Sequence, residues 1–214
     1  VIIESTSPVA TTEHVRDMLS VERPDLSFPG NTRSEGVSIA YCPERIIPGK
    51  ALEELVNNSR VVGGISQNCA QSAVDLYKSF AVGTIDVVED AKTAEFCKLI
   101  ENSYRDVNIA FANEISIIAD NLGINVWSAI KQANKHPRVN ILNPGAGVGG
   151  HCIAVDPWFI VQSDKANSKL IKVAREVNDS KIGWVIDTIK YLVEHKREKS
   201  PAKVIEIALM GLSF

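Results

Sequence analysis

Residues 143–157 read NPGAGVGGHCIAVDP, and Gly145, Gly147 and Gly150 within them satisfy the pattern G-x-G-x-x-G. Cys152 and Asp156 follow at once. If the glycines wrap a dinucleotide pyrophosphate, this stretch is the first turn of a nucleotide-binding sheet. If they present a thiol, the sheet lies elsewhere and the loop serves chemistry. A dinucleotide fingerprint needs a strand before it and a helix opening inside it. Here Asn143-Pro144 interrupts the short apolar run 139–142. A helix running on from Gly150 would carry Pro157 in its interior, at a cost of about 3 kcal/mol. Asp164 stands at a tolerable distance for a ribose-binding acid, which keeps the dinucleotide reading open. The thiol reading accounts for more residues. Glycines at 145, 147, 149 and 150 let backbone approach a ligand closely and free amides to face an anion or a developing oxyanion. Asp156 comes within reach of Cys152 if 152–156 forms one helical turn. A third reading, an inert packed thiol in a tight corner, stands beside these.

The surrounding composition limits the classes available. The chain has 214 residues, 45% of them hydrophobic and 23% charged, enough for a real core in one large domain or two small ones. Net charge is −3, and no basic block exceeds His195-Lys196-Arg197, which argues against a nucleic-acid surface. No apolar run approaches the ~20 residues that span a bilayer. Cysteines at 42, 69, 97 and 152 form no C-x-x-C pair and fit neither a zinc site nor a disulfide framework. The expectation is a cytoplasmic protein with reduced thiols and no metal. The chain opens on VIIESTSP without a methionine and stops on the apolar run KVIEIALMGLSF, so a piece of a longer protein is expected.

Residues 1–90 alternate in character. Strands are expected at 1–3, 37–41, 60–64 and 84–88, with a helix capped by Thr11 or Thr12 and running to about Leu19, and another over 67–80. That alternation predicts a mostly parallel α/β sheet. From residue 92 the period changes. Phe96, Ile100, Val107, Phe111, Ile115, Ile118 and Leu122 trace one long helix stopped by Gly123. A shorter helix is expected over 126–134 and a second long one over 168–196, with a linker and a last strand after it. On the first long helix, Lys98 and Asn102 form an i, i+4 pair followed by Arg105, roughly opposite the apolar stripe. A lysine beside an asparagine can hold a developing oxyanion, although a solvated face looks the same in sequence. Asn113-Glu114 read as solvent-facing by that logic.

Three segments then converge on one family. STSPV at 5–9, AEFCKLIENSYRDVNIAFANE at 94–114 and HPRVNILNPGAGVGGHCIAVDPWFI at 136–160 resemble the nucleotide-sugar 6-dehydrogenases, the UDP-glucose/GDP-mannose dehydrogenase family. The resemblance runs over essentially the whole chain. Within the family, GVGGHCIAVDPWFI, ENSYRDVNIAFANE and YCPERIIPGK most resemble the branch that oxidises UDP-N-acetyl-D-mannosamine. It implies an α/β fold: a partial Rossmann-like parallel sheet, followed by an all-α central domain with long helices. Residues 1–91 would be the C-terminal part of an NAD-binding domain, 92–197 a central substrate and dimerisation domain, and 201–214 the first strand of a UDP-binding domain. The implied cofactor is NAD, the substrate a UDP-sugar, and the partner a second copy met through the central helices. By itself this stretch is expected to be inactive, because the family's glycine-rich dinucleotide turn would lie upstream of Val1.

The implied reaction takes a sugar C6 alcohol to a carboxylate in two hydride transfers, through a cysteine thiohemiacetal and a thioester. Carried over by residue, Cys152 is the nucleophile, Lys98 stabilises or relays the alcohol proton, and Asn102 is its partner. Asp156 orders water, with Thr6 near that water and the nicotinamide; Thr6 and Cys152 are thus also the cofactor-facing pair. Glu44 is the proposed base for thioester hydrolysis. Arg138 contacts the nucleotide sugar, and Asn143, Gly147, Gly149 and Gly150 form its loop. Pro48 stands where UDP-glucose enzymes carry a second glutamate, while Arg105 and His151 add donors. These departures turn the reading away from UDP-glucose and toward an N-acetylated sugar. The competing reading is a catalytically inactive helical dimerisation module, which leaves the joint presence of Lys98, Asn102, Cys152 and Asp156 without a reason.

Overall fold

A computed structural model of the protein describes residues 1–29, 36–47, 49–199, 204–208 and 210. Four strands, β1 (Ile2–Ile3), β2 (Ala40–Tyr41), β3 (Arg60–Gly64) and β4 (Ile85–Val87), form one sheet in the order β1-β2-β3-β4. β1 pairs β2 and β3 pairs β4 in parallel, whereas β2 meets β3 antiparallel, with Ala40 opposite Gly64. The sheet is therefore mixed. Helices α1 (Thr11–Glu22), α2 (Ala51–Asn57) and α3 (Gln67–Lys78) alternate with the strands; α4 (Ala91–Asn121), α5 (Val126–Ala133), α6 (Asp156–Ser163) and α7 (Lys169–Lys199) follow.

The period-2 pleat sorts side chains to the two faces of the sheet. On one face Ala40, Cys42 and Val62 pack against Ala70, Ala73, Val74 and Tyr77 of α3. On the other, Tyr41 packs with Ala91 and Ala94 at the start of α4, and Val61 and Ile65 close over them. Gly63 and Gly64 permit this. A Cβ on Gly63 would stand 2.1 Å from the Asp90 carbonyl oxygen, and one on Gly64 2.4 Å from the Ala70 nitrogen. No side chain fits at either position without moving main chain.

The helix ends follow from local chemistry. Ser66 caps α3 by accepting the Cys69 N–H at 3.3 Å. Asp90 accepts the Thr93 N–H at 2.8 Å, and that bond is the main reason its carboxyl sits below the usual range. Gly123, with φ of 66°, ends α4: its N–H donates to the Asp120 carbonyl and that of Ile124 to Ala119, the paired bonds of a left-handed helix stop. The expected stop at Gly123 is therefore observed. The expected Thr cap of α1 is not. The residue before the helix is Ala10, without a side-chain cap, and the Ala10 and Thr12 N–H groups donate instead to Glu95 of α4, at 2.6 and 2.7 Å. A buried carboxylate from a distant helix does the capping and complements the positive end of α1.

Ala10 has φ of 75°, a left-handed conformation that costs an alanine roughly 1–2 kcal/mol. Ala10→Gly keeps the N–H that meets Glu95. After glycine's extra unfolded-state entropy is subtracted, it should raise stability by about 0.5–1 kcal/mol. Denaturant titration checks this, and a lower midpoint for the glycine variant would contradict it.

By internal contacts the chain divides into residues 1–107 with 149–173, and 108–148 with 174–214. The division falls inside α4 and α7. In the second unit a polar ladder joins these helices: Asn113 donates to Asn178 at 2.9 Å, and Lys181 donates to Ser116 at 2.7 Å while lying 3.8 Å from the centre of the Trp184 ring. Burial lowers the Lys181 pKa, against an opposing pull from Asp120. The strand expected over 201–214 lies mostly outside the described residues. Residues 204–208 are not strand, having no paired neighbour among the described residues.

Candidate active site

The apolar stripe that marks α4 in sequence faces outward: Phe111 is 53% and Leu122 66% exposed. The buried face combines Leu99 and several alanines with polar residues, Glu95, Asn102, Ser103, Asp106 and Asn113. In helix geometry the spacings 95, 102, 106 and 113 form a second stripe. The expectation that Asn113 faces solvent is overturned, since it is fully buried; Glu114 beside it is exposed.

On this inward face, Asn102 donates its amide to Asp156 Oδ2 at 2.5 Å. Asp156 reaches it because the Val155 and Asp156 N–H groups both donate to the Cys152 carbonyl, at 3.0 and 2.8 Å. That closes the expected turn from Cys152 to Asp156. Asp156 then opens α6, with Pro157 in its first turn, where a missing N–H costs nothing. The helix consequently starts after the glycine loop rather than inside it, and no strand precedes the loop. The dinucleotide reading of 145–150 fails on both counts.

Asp156 is buried, and burial raises its pKa above the ordinary carboxylate value; the Asn102 hydrogen bond and the Lys98 charge pull it back. Lys98, half-buried one turn before Asn102, donates to the Glu44 main-chain oxygen at 2.5 Å. Tyr41, fully buried, feels the charges of Glu95 and Asp156, and its phenol is pushed well up, mainly by burial. Cys152 is exposed, whereas Cys42 and Cys69 are buried.

Thr6 follows β1 and Glu44 follows β2, each three residues past its strand. Because these strands are parallel neighbours, both residues lie at the carboxyl edge of the sheet, the edge at which open α/β sheets hold ligands. Glu44 does not meet Lys98 through its carboxylate, as a base role would suggest. That group accepts the N–H of Ile46, and only its main chain contacts the lysine. A small cleft opens beside it, lined by Cys42, Arg45, Glu54 and Arg60 among others, but not by Lys98, Asn102 or Cys152. Arg105, His151, Gly149 and Gly150 are exposed, and no described hydrogen bond or ion pair joins Arg105 or His151 to the Lys98–Asn102–Asp156 group. In the second unit Arg138 and Asn143 are exposed, and the Gly145 N–H donates to Asn113 Oδ1 at 2.8 Å. Glu95 and Asn113 escaped the sequence reading. The polar spacing along α4 was their only signal, and it resembles that of a solvated face.

Residues 1–81 match the NAD binding domain of the UDP-glucose/GDP-mannose dehydrogenase family, and residues 92–180 match its central domain. The chain belongs to that family. Among this family's curated proteins, it is 54% identical to the UDP-N-acetyl-D-mannosamine dehydrogenase of Escherichia coli K12, aligned over all of this chain and 51% of the relative. It is also 54% identical to the NDP-N-acetyl-D-galactosaminuronic acid dehydrogenase of Ralstonia nicotianae, over all of this chain and 49% of that protein. The chain thus spans about half the length of the curated relatives it matches. The solved UDP-D-ManNAc dehydrogenase of Pyrococcus horikoshii superposes with a TM-score of 0.83 at 42% identity, covering 92% of this chain and 46% of that one. The family fold, a Rossmann-type sheet followed by long helices, is the architecture described above.

Proposed function

We propose that the protein of which this chain is part oxidises the C6 alcohol of a UDP-N-acetylhexosamine, UDP-N-acetyl-D-mannosamine in the first instance, to a carboxylate with NAD⁺. The observation that carries the reading is the joining of Lys98, Asn102, Asp156 and the Cys152 turn within one compact unit. Thr6, at the carboxyl edge of β1, and Cys152 would be the residues of this chain that face a bound NAD. When bound, NAD⁺ accepts the hydride in each oxidation.

This chain's residues then have definite work. Lys98 holds or takes the proton of the C6 hydroxyl as the aldehyde forms, and Asn102 donates to its oxygen. The Cys152 thiolate adds to the aldehyde carbon, and the oxygen gains a proton, giving a thiohemiacetal. Loss of the second hydride to NAD⁺, with the hydroxyl proton passing back to Lys98, leaves a thioester. Water, ordered by Asp156, attacks the thioester carbon; the carboxylate forms and the sulfur leaves as Cys152 thiolate. Glu44 would serve as the base through Oε2, since the Ile46 N–H occupies Oε1. Arg138, Asn143, Gly147, Gly149, Gly150, His151 and Arg105 would bind the nucleotide sugar. The domain division at 91/92 and 197/201, a cytoplasmic location, and a homodimer covering the exposed α4 stripe belong to the same proposal. The stripe itself supports the last, since contiguous exposed apolar surface usually meets a partner.

Equal identity to the Ralstonia relative favours a second substrate, a sugar of the N-acetyl-D-galactosamine series. Assay of the intact gene product with NAD⁺ and UDP-N-acetylmannosamine, UDP-N-acetylgalactosamine, UDP-N-acetylglucosamine or UDP-glucose distinguishes them. Two NADH per sugar consumed are expected with the mannosamine sugar. Two NADH with UDP-glucose alone would overturn the reading of Arg105 and His151, and none with any sugar would overturn the reaction.

A further inference from the structure

Asn113 was expected at the surface and is instead fully buried in the second unit, between a loop and a helix. Its Oδ1 accepts the N–H of Gly145 at 2.8 Å, and its Nδ2 donates to Oδ1 of Asn178 at 2.9 Å. A backbone N–H can only donate, so the carbonyl side of the Asn113 amide must face Gly145 and the NH₂ side must face α7. An uncharged amide is well suited to this place. It accepts from one element and donates to another without carrying a charge into the interior. Four residues after Asn178, Ile182 lies under the same loop, where a Cβ on Gly147 would come within 2.9 Å of its Cγ1. Two independent contacts, one polar and one steric, therefore seat residues 145–147 on the α4–α7 pair.

We infer that Asn113 is a positioning residue for the substrate loop, setting where Gly145–Gly147 stand and so how Asn143 and the following glycines meet the sugar. The role in substrate binding rests on the proposed reaction; the anchoring of the loop does not. A loop held by a buried amide should exchange its backbone hydrogens slowly, through local opening rather than global unfolding.

The experiment combines hydrogen exchange and kinetics on the intact gene product carrying Asn113→Ala. Exchange over residues 141–150 should quicken about tenfold, the size of one lost hydrogen bond, while α4 and α7 keep their protection. KM for the nucleotide sugar should rise about tenfold or more with KM for NAD⁺ unchanged. Should Asn113→Ala not fold, Gly145→Pro removes the same donor from an exposed position. Gly145→Ala is the matched control, because a Cβ there meets nothing nearer than 3.8 Å. Faster exchange at 146–150 in the proline variant alone would support the anchor. Unchanged loop exchange in Asn113→Ala or Gly145→Pro, or equal loss of protection in loop and helices, would overturn it. Absence of turnover with every sugar in the wild type would defeat the proposed reaction, and the exchange data would still decide the anchor.

Discussion

Replacing Cys152 with alanine in the intact protein is expected to slow formation of the second NADH, and with it the carboxylate, by at least ~10³-fold, the order seen when a covalent nucleophile is removed. The substitution isolates the chemistry because Cys152 holds the local fold through its main chain. Its carbonyl accepts the Val155 and Asp156 N–H groups, and alanine keeps both bonds. The Asn102–Asp156 contact should survive as well. No other thiol is placed to substitute: Cys42 and Cys69 are buried in the sheet and α3 packing, and Cys97 is half-buried on α4. Without sulfur the aldehyde cannot be held as a thiohemiacetal, so the second oxidation loses its path. Stopped-flow NADH absorbance with UDP-N-acetylmannosamine measures the effect. Undiminished NADH from Cys152→Ala, with the wild-type product, would remove the covalent mechanism and return this cysteine to an inert corner.

The sequence reading of α4 succeeded and failed for one physical reason. Apolar residues at threes and fours announce a helix, and a glycine free to adopt positive φ announces its end; both are local, and both were legible. Which face turns inward is decided by what packs against the helix. Glu95 is buried because the end of α1 needs acceptors, and Asn113 because Gly145 needs one. Those partners lie tens of residues away, and no periodicity encodes them. The helices that went unread are short. α2 has seven residues and α6 eight, below the length at which a hydrophobic period stands out. Strand β2 is shorter than expected for a similar reason: 37–39 have strand-forming residues, but only Ala40 and Tyr41 have ladder neighbours on both sides. The Cys152–Asp156 turn was legible because it is four residues long and needs no distant partner.

Asp156→Asn should separate catalysis from stability. Burial holds the Asp156 carboxyl above its usual value, and the Asn102 amide and Lys98 charge only partly offset this. A raised folded-state pKa means the buried acid is favourable while protonated. That contribution is complete below the unfolded pKa and is lost as pH rises through the folded one. At neutral pH the wild type therefore carries an ionised buried carboxylate, and asparagine does not. The variant can still pair with Asn102 if one amide turns over. Thermal melts should place Asp156→Asn above the wild type at pH 7–8, with the gap closing as pH falls through the raised folded pKa toward the ordinary carboxylate range. Activity should move the other way. An elevated pKa makes Asp156 a better proton acceptor for the attacking water than an exposed carboxylate would be. Its loss should slow thioester hydrolysis by ~10²–10³-fold, the typical worth of a positioned acid or base. Both hydride transfers precede that step. Rapid mixing should therefore give a burst of two NADH per Cys152 and then near arrest, with the sugar acyl group on Cys152 visible by intact mass. A variant that loses the burst as well would assign Asp156 to the oxidations, and one less stable than the wild type at neutral pH would show that its charge is needed for folding rather than tolerated for catalysis.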